Sequence, residues 1–379
     1  MSMHRAEGLP ECVVLVLVDL AGGGTQKVVA GLAVELLDAG TMVTIITNDA
    51  DDDRWGAVRN RARIVELRGR LMTSPRSGLP PVLTNLRWLR RAVLDLRATV
   101  RVTGKAAPVV GFLPGTNILT MFACLGMRRH IVLSERNDHS RQRLSLPMRL
   151  ARRLLYRAAT VVTTNSDRSR VALQNVCGRV PVRVVRNPPP PVGDPARPAE
   201  SRRMLCVGRL TRHKRHRDVI AAFAEVAGSA PGWTLRILGD GPEAPALSQQ
   251  ARDLGIQDRV EFLGWSSRVA EELAAGAIYV HASEYEGMSN AVLEAMTAGL
   301  PVLISETALS IAPTGRGHPD VVTTFPTGEI DELARAMRAL VADGDLRDRQ
   351  GHAARELVLT LVGRPLSEWA PILQAGRPR

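Results

Sequence analysis

Apolar residues fall into short runs separated by stretches with helical spacing, and this alternation continues almost the whole length of the chain. Residues 13–19 read as a buried strand. Gly22, Gly23 and Gly24 follow, and then Val28, Val29, Leu32, Leu36 and Leu37 form one face of a helix. Residues 42–47 give the next strand, so a strand, glycine loop, helix, strand unit is established early. The pattern predicts a helix over 82–102, a strand over 108–113, a helix over 118–125 and strands over 131–134 and 161–164. Arg186-Asn187-Pro188-Pro189-Pro190-Pro191 suits neither a helix nor an inner strand and marks a break. Beyond it, strands over 204–207, 234–238, 260–263, 277–282 and 301–304 alternate with helical spacing. The expectation is an α/β protein with two parallel-sheet domains, 1–187 and 201–362, joined by a Pro-rich linker over 188–200. At 379 residues the chain is long enough for two cores of ordinary size.

Two segments carry the chemistry. The first runs from Ser283 to Val302, where an apolar strand ends, Glu286-Gly287-Met288-Ser289-Asn290 intervene, and Ala291, Val292, Ala295 and Met296 begin a helical stripe. Unpaired N–H groups and the positive dipole end of such a helix favour a diphosphate, and Gly287 leaves room for it. Glu286 and Glu294 lie eight positions apart, so two carboxylates can meet hydroxyls on different parts of an elongated ligand. The second segment is Val207-Gly208-Arg209-Leu210-Thr211-Arg212-His213-Lys214, which puts Arg209 and Lys214 at the carboxyl end of another strand. A forked guanidinium and a compact ammonium suit a diphosphate. Each feature also has a plain structural reading, since acids favour any first helical turn and glycine marks any strand-to-helix corner.

Taken in order, Gly208-Arg209-Leu210 with Lys214, the turn Leu238-Gly239-Asp240-Gly241-Pro242, Phe262-Leu263-Gly264, the pair Glu286 and Glu294, and Ala295-Met296-x-x-Gly-x-Pro-Val resemble the donor half of retaining glycosyltransferases of family 4. The resemblance implies a GT-B architecture, two Rossmann-like domains with parallel sheets facing each other across a cleft. It also implies a terminal helix in 363–379 that returns to the first domain, and a sugar moved from a nucleotide diphosphate, most often UDP, to a hydroxyl. On this reading Arg209 and Lys214 hold the diphosphate and Glu286 reaches the donor sugar. Glu294 holds the ribose, and Gly287, Met288, Ser289 and Asn290 offer backbone groups to phosphate. Gly208, Gly241 and Leu263 line the donor, and Gly23 and Gly24 face the donor phosphates or the acceptor, unless they serve only as a tight turn. Phe112-Leu113-Pro114-x-x-Asn117 followed by Ser134-Glu135-Arg136-Asn137-Asp138 resembles a subgroup that builds polysaccharides or lipid-linked oligosaccharides. Where many relatives carry a His near the reacting carbon, this chain has Glu135 or Arg136. These are expected to act in the cleft, with a structural ion pair as the alternative.

Bulk properties narrow the partners. Net charge is +12, with 45% hydrophobic, 23% charged and 3% aromatic residues. No basic run interleaves with stacking aromatics, so nucleic acid is not expected as a partner. The four cysteines, Cys12, Cys124, Cys177 and Cys206, are scattered and form neither a disulfide framework nor a metal motif. Asp343-Gly344-Asp345 reads as a turn, so neither a metal nor a cofactor is expected beyond the nucleotide sugar itself. With no signal peptide or long apolar span, the expected place is the cytoplasm. Arg-rich amphipathic patterns over 86–101 and 141–157 add a peripheral contact with an anionic membrane face as an expectation, next to a lipid-linked saccharide acceptor. The other classes are a natural-product glycosyltransferase with an aminoglycoside-like acceptor, and a non-enzymatic nucleotide-sugar- or nucleic-acid-binding protein on the same fold.

Overall fold

The computed structural model describes residues 8–17, 23–48, 55–67, 81–142, 144–188, 201–266, 268–309, 320–361 and 365–374. The chain divides into two compact units, Met1–Pro188 with Gly363–Arg379, and Pro189–Val362. Most of the linker expected over 188–200 lies outside the described residues.

In the first unit the elements run β1 (Cys12–Leu17), α1 (Gly23–Asp38), β2 (Met42–Thr47), β3 (Arg63–Glu66), α2 (Pro81–Val102), β4 (Val109–Phe112), α3 (Pro114–Cys124), β5 (Ile131–Glu135), α4 (Leu146–Leu155), β6 (Val161–Thr164), α5 (Asp167–Cys177) and β7 (Val182–Val184). The seven strands form one sheet in the order β3-β2-β1-β4-β5-β6-β7, and every pairing is parallel. Both faces of this sheet are covered, which is why its central strands are apolar at every position rather than at alternate ones. Val13, Leu15 and Leu17 pack into one core with α1, while Val14 and Val16 pack into another with α2 and α3.

The second unit repeats the plan: β8 (Arg203–Val207), α6 (His216–Ala227), β9 (Thr234–Leu238), α7 (Ala244–Asp253), β10 (Val260–Gly264), α8 (Val269–Ala274), β11 (Ile278–His281), α9 (Asn290–Thr297), β12 (Val302–Ser305), β13 (Val322–Phe325), α10 (Ile330–Ala342) and α11 (Gly344–Leu361). Its sheet order is β10-β9-β8-β11-β12-β13, again parallel. Asp343, expected in a turn, separates α10 from α11 and accepts the Leu346 N–H at 2.8 Å.

A last helix, α12 (Pro365–Gln374), belongs to the first unit. Trp369 is 1% exposed and sits 5.8 Å from the Phe112 ring, and Ile372 and Leu373 join the same core. Polar contacts hold it there: Leu366 N donates to the Glu35 carboxylate at 2.7 Å, Arg186 N to Glu368 at 2.6 Å, and the His130 ring meets Ile372 O at 2.8 Å.

Candidate functional site

In each sheet the first strand lies inside the sheet, with the next two strands on one side and the remaining ones on the other, so the order reverses between β1 and β4 and between β8 and β11. The carboxyl edge at such a reversal is where open parallel sheets leave room for a ligand. In the second unit that edge is occupied by both segments singled out from the sequence. β8 delivers Gly208-Arg209-Leu210-Thr211 and a tight turn over Arg212–Lys214 into α6. β11 delivers the 282–289 loop into α9.

Glu286 is the centre of this arrangement. Its carboxylate accepts from the Lys214 ammonium, from His281 Nε2 at 3.0 Å and from Ser283 Oγ at 3.0 Å. The Lys214 and Glu286 side chains are only 18% and 12% exposed, so the pair is largely withdrawn from water. Burial pushes the Glu286 pKa up, but Lys214 and then His281 more than reverse this and hold it well below the usual carboxylate range. Burial lowers the pKa of His281 against the opposing pull of Glu286, which keeps the imidazole neutral at pH 7. With its proton on Nε2 the ring donates to Glu286, and Nδ1 faces the Tyr279 hydroxyl at 3.3 Å. A fixed carboxylate beside an ammonium can meet sugar hydroxyls and phosphate oxygens side by side.

The surrounding loops can come this close because two glycines allow it. A Cβ on Gly239 would stand 1.9 Å from Gly208 O, and one on Gly241 would stand 2.4 Å from Leu210 O. The loops are sewn together by Gly208 N to Leu238 O at 2.9 Å, Leu210 N to Asp240 O at 2.9 Å and Glu243 N to Leu210 O at 3.0 Å. On the other flank Arg215 takes a left-handed backbone, φ 53°, at the start of α6. Its guanidinium spans Asp218 at 2.5 Å and Glu284 at 3.2 Å, which ties the β8 loop to the β11 loop. Glu284 N donates to His213 O at 2.8 Å, and the His213 and Tyr285 rings stack 5.0 Å apart.

The structure thus brings Lys214 and Glu286 into contact, and it places Arg209 exposed on the neighbouring loop with Gly208 half-buried before it. Gly241 and Leu263 follow β9 and end β10 at the same edge. Gly287, Met288 and Ser289 are buried, Ser289 precedes α9, and Asn290 is its first residue. Glu286 lies in the loop, four residues ahead of α9, and Glu294 opens the second turn of that helix. The intervening loop residues let Glu286 fold back onto Lys214. In the first unit Gly23 and Gly24, expected in a loop, form the first turn of α1, and Gly22 lies outside the described residues.

Glu135 and Arg136 do not pair with each other among the described residues, because successive strand residues point to opposite faces. Glu135, 1% exposed, accepts from the Tyr156 hydroxyl, and Asn117 Nδ2 bonds that hydroxyl at 3.0 Å and Ser134 O at 3.1 Å. Burial raises the Glu135 pKa, and Tyr156, Arg152 and Asn117 pull the other way. Arg136, 6% exposed, donates to Val185 O at 3.0 Å and Asn187 Oδ1 at 2.6 Å. Next to them, Leu113 at the end of β4 adopts φ 74°, ψ 151°, a region that costs a non-glycine residue about 1–3 kcal/mol and that is typical of functional corners.

His281, Ser283 and Arg215 were not singled out from the sequence. A histidine closing an otherwise apolar strand was the available signal for His281. Nothing local marked Arg215.

Residues 23–190 match the Glycosyl transferase 4-like domain, and residues 193–357 match Glycosyl transferases group 1. The fold is GT-B. The chain is 32% identical over 167 residues to a lipopolysaccharide core biosynthesis glycosyltransferase, LpsE, of Rhizobium meliloti, covering 44% of this chain and 46% of that protein. It is 26% identical to a 2-deoxystreptamine N-acetyl-D-glucosaminyltransferase of Streptomyces fradiae, across 91% of this chain and 88% of that one. Among solved structures, Anabaena HepE in complex with UDP and glucose superposes with a TM-score of 0.75 at 19% identity, covering 94% of this chain and 96% of that one. The match to LpsE spans less than half of that relative's length. The GT-B likeness extends over nearly the whole chain.

Proposed function

We propose that the chain is a retaining glycosyltransferase that moves a hexose or N-acetylhexosamine from a nucleotide diphosphate sugar, with UDP as the preferred nucleotide, to a saccharide hydroxyl. The observation that carries this is the Lys214–Glu286–His281 cluster at the reversal point of the second sheet, with Arg209 beside it and the start of α9 behind it. The donor's bond from the anomeric carbon to the diphosphate oxygen breaks, the acceptor oxygen bonds to that carbon on the same face, and the acceptor's proton leaves with the diphosphate. Lys214, Arg209 and the α9 N–H groups stabilise the charge that grows on the departing diphosphate, so neither a metal nor another cofactor enters the reading. Glu286, held ionised, accepts from sugar hydroxyls, and Glu294 takes the ribose. Glu135 and Arg136, buried and hydrogen-bonded within the first unit, shape its acceptor side from inside.

Polysaccharide-building relatives support a lipid-linked saccharide acceptor, handled at the cytoplasmic face of a membrane. A second reading, an aminoglycoside-like acceptor, is favoured by the relative aligned over most of both chains. Thermal-shift measurements with UDP, GDP, ADP and their sugars test the donor, since a ligand held at about a hundred times its Kd stabilises by about 2.7 kcal/mol. A uniform absence of shift refutes the site. Proton NMR of the product's anomeric coupling tests retention.

A further inference from the structure

Two arginine-rich helices look alike in the sequence, and the structure separates them. In α2 the apolar face of the described side chains is used inside the protein: Ala92, Leu96 and Val100 are fully buried, and Leu89 and Val93 pack on the same core. Arg97 is also spent, donating to Ala123 O at 3.0 Å and Leu125 O at 2.7 Å. In α4 the opposite holds. Leu146, Leu150 and Leu154 are 71%, 57% and 62% exposed, and at spacings of four they form one stripe along the helix. Exposed Arg149 and Arg153 form the adjoining row, and exposed Arg157 continues it just past the helix end.

The outward leucines are not surplus core. The other side of α4 already packs, through Met148, Ala151 and Leu155, onto the core beneath it. It is further fixed by Arg152, 5% exposed, and by fully buried Tyr156, whose hydroxyl donates to Glu135. The helix is therefore held rigidly with three leucines turned to solvent, an arrangement whose apolar area gains nothing from folding.

We propose that α4 is a membrane-docking helix that lies in the plane of an anionic lipid surface, with Leu146, Leu150 and Leu154 among the acyl chains and Arg149, Arg153 and Arg157 on the headgroups. Charge complementarity selects this occupant. No acidic residue occurs between Asp138 and Asp167, so α4 and the chain on either side of it carry one sign. A second copy of the chain would bring identical arginine rows together, which opposes self-association. Nucleic acid would meet aliphatic leucines where it needs stacking groups. Ten residues make a helix of about 15 Å, too short to span a bilayer and well suited to lying on one. The inference is independent of glycosyl transfer and is read without any donor.

The test is sedimentation of the full chain with vesicles of phosphatidylcholine alone and of equimolar phosphatidylcholine and phosphatidylglycerol. The wild type should pellet with the anionic vesicles, progressively less as salt is raised, and stay in the supernatant with the neutral ones. Leu146→Ser/Leu150→Ser/Leu154→Ser should weaken partitioning by on the order of tenfold or more, and Arg149→Gln/Arg153→Gln/Arg157→Gln should weaken it and flatten the salt dependence. Leu94→Ser/Val102→Ser, which alters two exposed apolar residues of α2, should change nothing. Thermal melts confirm folding, and single Leu150→Gln replaces the triple variant if that variant melts early. Failure of the wild type to pellet with anionic vesicles overturns the proposal, as does equal pelleting of the leucine variant. A wild-type dimer in size exclusion that the leucine variant converts to monomer also overturns it, in favour of a second copy.

Discussion

Lys214→Met removes the ammonium at the centre of the second unit while keeping the length of its stem, and its consequences can be worked through. Lys214 and Glu286 are 18% and 12% exposed, so the variant leaves a mostly buried carboxylate with, among the described residues, the donors His281 and Ser283. Removing one partner of a buried ion pair costs about 3–5 kcal/mol, and the residual exposure places this case near about 3 kcal/mol. For a unit of this size that corresponds to roughly 6–12 °C in Tm. The pH dependence gives a second readout. Glu286 has a folded pKa below its unfolded value of about 4.3, so the pair's contribution is complete above that pH and is lost as pH falls through the acidic range. Wild type and Lys214→Met should therefore differ fully at pH 7 and converge on acidification. Glu286→Gln keeps an acceptor for His281 but strands the ammonium. The double variant removes both charges and should be more stable than either single variant while transferring sugar no faster, about a hundredfold to a thousandfold below wild type. Urea unfolding followed by circular dichroism gives the stabilities, and product formation gives the rates. Strict additivity of the two substitutions, or unchanged transfer in Lys214→Met, refutes the reasoning.

Three further outcomes follow from single side chains. His216 is 6% exposed, and burial, with Lys214, His281 and His213 adding to it, lowers its pKa to about 3. The unfolded chain takes up this proton first, so stability is intact above about pH 6.5 and should fall by about 2 kcal/mol by pH 5; His216→Gln should flatten that slope in urea titrations. Gly239→Ala drives a methyl group to 1.9 Å from Gly208 O at φ +142° and should cost more than about 3 kcal/mol, whereas Gly255→Ala, at φ +67° with open space around it, should cost about 1 kcal/mol. Tyr156→Phe removes the hydroxyl that bonds the buried Glu135 and should cost about 1–3 kcal/mol at pH 7, less at lower pH where the carboxyl can protonate; equal loss at both pH values in thermal melts contradicts that origin.

What the sequence revealed and what it hid depend largely on how much of each element is covered, although β10, at an edge, was also legible. The central strands, such as β1, β8 and β11, are covered on both faces and so read as unbroken apolar runs. The strands the pattern did not mark, β3, β7 and β13, all lie at sheet edges, where Arg63-Ile64-Val65-Glu66, Val182-Arg183-Val184 and Val322-Thr323-Thr324-Phe325 need only part of their surface covered. The same distinction governs the site. Lys214 and Glu286 could be picked out because each sits at the end of a strand readable by itself, and the reversal point of the sheet brings those two ends together. Arg215 could not, because its role is a left-handed corner and two carboxylates that only the folded loops supply. Nor could periodicity tell α2 from α4: both show apolar and basic residues at helical spacing. Which face is covered depends on what else packs there, and in α4 the buried arginine and tyrosine turn the leucines outward, against the expectation that a sheet-flanking helix buries its most apolar stripe.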